Sequence, residues 1–146
     1  MNLILRPTTD ADFAFAFEVK KNAMGLHISS RWGWDEEYQL NVHKQRWSEK
    51  PWFIIMLREE VIGTVSIHEQ PDFIRFGEFY LLNGFRRKGL GSMILSEFLK
   101  DCDQSKRAVQ LEYLKWNPVG SLYKRHGFKV VSENEIYYFM VREPRS

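Results

Sequence analysis

The chain has 146 residues, 44% hydrophobic and 15% aromatic, with a formal net charge of +2. That length suits one domain spanning residues 1–146 around a single core, and the apolar content excludes a disordered chain. The small net charge argues against bulk nucleic-acid binding, and the single cysteine, Cys102, excludes an internal disulfide and fits a reducing compartment, the cytoplasm.

Asn2 to Arg6 reads as a first strand ended by Pro7, too short in apolar length for a signal peptide, and no run approaches a membrane span. Thr8, Thr9, Asp10 and Asp12 offer capping oxygens and early carboxylates. They precede Phe13, Phe17, Lys20 and Met24 at helical spacing, which predicts a helix to about Met24. The stretch from Gly25 to Lys50 is the hardest to read. Trp32-Gly33-Trp34 leads into a second helix capped by Asp35 and running to about Trp47. Pro51 to Leu57 is nearly all apolar, the pattern of a strand buried on both faces. Arg58-Glu59-Glu60 turns the chain into Val61 to His68, and Pro71-Asp72 turns it again into Phe73 to Leu82. Three strands in a meander rule out an all-parallel, doubly wound sheet.

Asn83-Gly84-Phe85-Arg86-Arg87-Lys88-Gly89-Leu90-Gly91 follows, opening an apolar helix to about Cys102. A basic, glycine-bearing turn between a strand and a helix is suited to a pyrophosphate. Free N–H groups of the first helical turn and the macrodipole favour negative charge there. Gly89 and Gly91 allow close approach, and Arg86, Arg87 and Lys88 add charge-assisted donors. Leu90-Gly91 stands where a P-loop needs Lys-Ser/Thr, and Ile94 where a dinucleotide fingerprint needs its third glycine. Ala108 to Lys115 is then a strand parallel to its predecessor. Asn117-Pro118 starts another helix, with Gly127 as its stop. Phe128–Val131 and Ile136–Val141 close the chain as a hairpin around Glu133-Asn134.

Arg86-x-x-Gly89-x-Gly91 resembles the acyl-CoA loop of the GNAT superfamily of CoA-dependent N-acetyltransferases. Asn117-Pro118-Val119-Gly120-Ser121-Leu122-Tyr123-Lys124-Arg125-His126-Gly127-Phe128 resembles the family's Asn-x-x-…-Leu-Tyr-x-x-x-Gly-Phe helix, one helix and one strand later, where the family places it. The resemblance covers essentially the whole chain. It implies an α/β (α+β) fold, a mixed, mostly antiparallel sheet of about six or seven strands flanked by about four helices. The sheet splays between its fourth and fifth strands, and the pantetheine arm inserts there. Many relatives carry a proline shortly before the loop, where this chain has Asn83-Gly84.

The resemblance implies acetyl-CoA as co-substrate, no metal, and a primary amine of a small molecule or peptide as acceptor, attacking the thioester directly. Main-chain groups of Leu81 and Leu82 would bond the pantetheine, with N–H groups near Leu82 polarising the thioester carbonyl. Arg86, Arg87, Lys88, Gly89, Leu90, Gly91 and Ser92 would hold the pyrophosphate, and Asn117 would reach the pantetheine or the leaving sulfur. Tyr123 would protonate the departing thiolate, or else be a packing residue with its hydroxyl at the surface. Glu78, at alternate positions with Phe76, Tyr80 and Leu82, is either the base for the amine, directly or through water, or else structural or solvent-facing. Trp32 and Trp34 either line the acceptor pocket, with Asp35, Glu36 or Glu37 attracting a cationic amine, or pack a loop onto the core. His27, His43, His68 and His126 show no metal-ligand spacing, and Cys102 reads as a core residue. A non-catalytic acyl-CoA-binding or sensing module is the alternative. A nucleic-acid binder using the basic residues would need more charge. Either a monomer or a homodimer fits.

Overall fold

The computed structural model describes residues 3–86 and 89–145. The strands are β1 (Leu3–Pro7), β2 (Trp52–Leu57), β3 (Glu60–Glu69), β4 (Phe73–Leu81), β5 (Ala108–Leu114), β6 (Lys129–Glu133) and β7 (Tyr137–Arg142). The helices are α1 (Phe13–Trp32), α2 (Glu36–Glu49), α3 (Leu90–Gln104) and α4 (Gly120–Arg125), with short 3-10 turns at Asp10–Asp12 and Asn83–Phe85. One sheet takes all seven strands in the order β1-β2-β3-β4-β5-β7-β6. β4 and β5 are parallel, whereas β1–β2, β2–β3, β5–β7 and β6–β7 are antiparallel. The expected mixed, mostly antiparallel sheet is what forms. By contacts the chain divides into two compact units, residues 1–67 with 78–86, and residues 68–77 with 87–146.

In the first unit, α1 buries Ala16, Phe17, Val19, Lys20, Met24 and Ile28 on one stripe. The sequence predicts a stop near Met24, but Ile28 extends the stripe by another turn. That burial offsets the roughly 1 kcal/mol cost of a helical glycine at Gly25. The helix ends at Gly33, whose φ of 79° most side chains avoid. Asp35 then caps α2 as expected, its Oδ1 accepting from the Tyr38 N–H at 3.1 Å. Trp52, Ile54, Ile55, Ile62 and Val65 of β2 and β3 are buried. These strands join through Arg58 and Glu59, both at positive φ, the signature of the tight turn that matches strand twist. A Cβ at Gly63 would collide with the Tyr80 carbonyl oxygen, so close backbone approach demands glycine there.

β4 does not alternate throughout. Ile74, Phe76 and Glu78 are buried in turn, but the next buried position is Leu81, so the expected alignment of Glu78 with Tyr80 and Leu82 fails. The cause is local: Glu78 has φ 46°, a kink of about 1–3 kcal/mol for a non-glycine residue. The Thr64 hydroxyl donates to the Glu78 carbonyl at 3.0 Å and helps hold it.

In the second unit, α3 packs Ile94, Leu95, Leu99 and Cys102 inward, and β5 contributes Val109, Leu111 and Tyr113. Cys102 is 2% exposed, and burial pushes its thiol up to about 11. β4 and β5 pair through Phe73–Ala108, Ile74–Val109 and Arg75–Gln110. The last turn is tied down by Asp103, which accepts from Arg142 at 2.8 and 3.0 Å and from the Arg145 N–H at 2.9 Å. Asn117 does not cap α4 directly. Its Oδ1 accepts from the Val119 N–H at 3.1 Å, and the helix begins at Gly120. Asn134 makes the hairpin turn between β6 and β7, its Oδ1 accepting from the Ile136 and Tyr137 N–H groups.

Candidate functional site

The second unit holds the glycine-bearing entrance to α3. Gly89 adopts φ 76° and ψ 0°, the left-handed conformation in which glycine carries no penalty, and nothing lies within 4 Å of where its Cβ would be. The first intrahelical bond runs from the Met93 N–H to the Gly89 carbonyl at 3.1 Å. Gly89 supplies no side-chain cap, so the N–H groups of Leu90, Gly91 and Ser92 sit in the turn that lacks intrahelical acceptors. Arg87 and Lys88 lie outside the described residues. The Ser92 hydroxyl is 2.9 Å from His126 Nε2, which joins the first turn of α3 to the end of α4. Burial, then Arg125, Arg142 and Arg145, hold the His126 imidazole below its ordinary value, favouring the neutral ring. Tyr123, on α4, is 6% exposed among Phe76, Tyr113 and Phe128, with ring centroids 5.6 to 6.4 Å away. A Cβ at Gly120 would collide with the Tyr113 hydroxyl, so glycine lets Tyr113 into this aromatic group.

In the first unit, Arg86 is already engaged. Its Nη2 donates to Asn22 Oδ1 at 2.9 Å, and the same oxygen accepts the Asn83 N–H at 3.2 Å. Arg86 Nε is buried with no partner among the described residues. Leu82 donates its N–H to the Ile62 carbonyl at 2.8 Å, and its carbonyl accepts from Phe85 at 2.9 Å. The Leu82 N–H itself is therefore paired with β3, so any amide that polarises a thioester here is a neighbour of it.

Glu78 is neither solvent-facing nor alone. Its Oε2 accepts from Lys50 Nζ at 3.0 Å and Arg46 Nη1 at 3.4 Å, and Tyr80 donates to Oε1 at 3.4 Å. Burial by itself would push the Glu78 carboxyl up, but Arg46, Lys50 and Lys20 outweigh it and hold the group below its ordinary value. Lys20, 4% exposed on the buried stripe of α1, is the reverse case. Burial pushes its ammonium down to about 8, Glu78 opposes the shift, and Arg46 and Lys50 add to it. His43 is fully buried beside Phe13, Phe17, Trp47 and Trp52. Its Nε2 is 3.2 Å from the Phe13 carbonyl, which can only accept, so Nε2 carries the proton. His43 Nδ1 has no partner among the described residues.

The residues expected to attract a cationic amine are occupied otherwise. Asp35 caps α2, and Glu36 accepts from Lys21 at 2.7 Å and from the Trp34 indole at 3.4 Å. Trp34 packs 6.3 Å from the Phe17 ring, while Trp32 is 51% exposed at the end of α1. The sequence reading missed Asn22 and the cations around Glu78. Lys20 left a signal, a charged residue at helical spacing between Phe17 and Met24. Arg46 and Lys50 left none. Among the described residues there is no group of His, Cys, Asp or Glu able to hold a metal, and no helix long and apolar enough to cross a membrane.

The family model of the acetyltransferase (GNAT) domain matches residues 48–130. No curated protein matches the sequence. Among solved structures, PaiA N-acetyltransferase from Thermoplasma acidophilum in complex with coenzyme A matches with a TM-score of 0.72 and 19% identity, over 98% of this chain and 99% of its own. An acetyltransferase from Thermus thermophilus gives 0.75 and 16%, over 98% and 97%. The ribosomal-protein-S18-alanine N-acetyltransferase from Escherichia coli gives 0.70 and 14%, over 99% and 96%. At these identities the likeness is one of fold.

Proposed function

The chain belongs to the GNAT acetyltransferase family, and from that premise we propose that it moves an acetyl group from acetyl-CoA to a primary amine, the amine attacking the thioester directly. The observation that carries this reading is the uncapped first turn of α3 behind left-handed Gly89. Its main-chain donors suit an anionic pyrophosphate. Acetyl-CoA, when bound, supplies an activated acyl carbon and a thiol leaving group. Gly89, Leu90, Gly91 and Ser92 hold the pyrophosphate with Arg86, Arg87 and Lys88, and the main chain of Leu81 with the Leu82 carbonyl, which keeps a second lone pair, orients the pantetheine. Asn117 positions the sulfur; Tyr123 gives it a proton as the C–S bond breaks, and the proton shed by the nitrogen of the new amide restores the phenol, so the exchange balances. A thiol of about 8.5 and a phenol of about 10 are close enough for one hydrogen bond to make that transfer easy.

The amine must arrive neutral, because an alkyl ammonium near about 10.4 holds its proton at pH 7. Glu78, stabilised as a carboxylate by Arg46 and Lys50, has little affinity for that proton, so its part is to balance charge. We take residues 1–146 as one domain working in the cytoplasm, where a buried free thiol is at home. The test is thiol release from acetyl-CoA across a panel of amines, with Tyr123→Phe alongside. Release that is slowed in the variant supports the reading. CoA binding without release on any amine points to a sensing module, and absence of CoA binding defeats the reading altogether.

A further inference from the structure

One buried carboxylate in the first unit is surrounded by more positive charge than it can balance. Lys50 and Arg46 pair with Glu78 at 3.0 and 3.4 Å, and Lys20 adds a third cation, 4% exposed. Lys20 is bonded to no acceptor among the described residues, although Glu78 acts on it electrostatically. Three cations act on one carboxylate, so positive charge is in excess around it. A largely buried ammonium beside two other cations is expensive, and a second anion is what would relieve it. Arg46 and Lys50 keep 32% and 23% of their side chains exposed, so the group is reachable from solvent. The acids that could instead draw a cationic acceptor, Asp35 and Glu36, are taken up by the α2 cap and by Lys21.

We infer that the acceptor carries its own anion: an amine bearing a carboxylate, which Lys20, Lys50 and Arg46 recognise. The inference rests on the transfer reading above. Glu78 precedes Leu81 on one strand by about 10 Å of chain, so a short amino acid spans from this group to the acyl end assigned to Leu81 and Leu82.

The experiment compares 4-aminobutyrate, 4-aminobutanol and 1,4-diaminobutane, which share a four-carbon spacing and differ in the charge of the distal group. Thiol release and calorimetric binding to the CoA-loaded protein are both recorded. The amino acid is expected to exceed the amino alcohol in kcat/KM and in affinity by about tenfold or more, the scale of one charge-assisted hydrogen bond, with the diamine weakest. In Lys20→Met and in Lys50→Gln that ratio falls towards one, while thermal melts report whether each variant is folded. Lys50, partly exposed, keeps the test open if Lys20→Met does not fold. Preference for the diamine, or equal treatment of all three, overturns the inference and leaves acyl transfer standing. Release from none of them counts against acyl transfer, and the binding order alone then decides the charge preference.

Discussion

The start of α3 and the surroundings of Glu78 both concern negative charge, but they are built in opposite ways. At Gly89 to Ser92 the donors are main-chain N–H groups in a turn without a side-chain cap, and they carry no net charge. Around Glu78 the charges are on side chains: Arg46 of α2 and Lys50 just after it, both partly exposed, and Lys20 of α1, which is buried like Glu78 itself. The first arrangement is inexpensive to fold, because backbone donors at a helix start exist anyway. The second stores a large desolvation cost, offset only while its charges remain matched. A donor loop of the first kind suits a ligand shared by many enzymes, and a charged group of the second kind suits discrimination among acceptors.

The sharpest way to break this contrast is Glu78→Gln. Removing the carboxylate that faces Arg46, Lys50 and Lys20 is expected to cost about 3–5 kcal/mol in denaturant unfolding. A loss under about 1 kcal/mol would mean that the cations are solvated after all. Tyr123→Phe comes next. It is expected to slow thiol release at saturating substrate by about a hundredfold, within the range for general acid catalysis, with the melt nearly unchanged.

Lys20 yields a pH signature. With its ammonium lowered to about 8 in the fold and near about 10.4 when unfolded, the unfolded chain binds the extra proton between those values. The Lys20 contribution to stability should therefore rise with pH from about 8 to about 10, by on the order of 2 kcal/mol, while Cys102, held up to about 11, contributes in the opposite sense over much of that window. Chemical denaturation isolates the Lys20 contribution as a difference: the stability of the native chain relative to Lys20→Met should climb by that amount from about pH 8 to about pH 10. Asp103 behaves in the other direction. Its carboxyl, held down to about 2 first by Arg142 and then by the Arg145 N–H, contributes stability above about pH 4 that is lost as pH falls towards 2. Gly89→Ala is the smallest change in the fold, about 1 kcal/mol for a Cβ at positive φ with no clash. Its larger effect should be on CoA affinity by calorimetry, since the methyl stands where the backbone would meet phosphate.

Reading the sequence succeeded where local chemistry decides the structure. Glycine spacing before α3, the Asp35 cap and a turn at Arg58-Glu59-Glu60 are written in adjacent residues, although Glu60 already belongs to β3. The helix before Trp32 ran past its expected end because Ile28 had a buried surface to cover, a tertiary fact. Alternation along β4 failed at Glu78, since a positive φ in a non-glycine residue leaves no mark in the pattern. The charged group stayed hidden because its members come from α1, α2, its C-terminal flank and β4. Only Lys20, a cation on an apolar stripe, announced that something buried was waiting for it.

Cys102 carries a practical consequence. The chain's one sulfhydryl is 2% exposed, with its ionisation pushed up to about 11, so at pH 8 almost none of it is the nucleophilic form. Chromogenic disulfide reagents added to the native protein should stay colourless without acyl donor. Any yellow that develops during turnover then reports freed coenzyme alone, and the same reagent in denaturant counts protein molecules one for one.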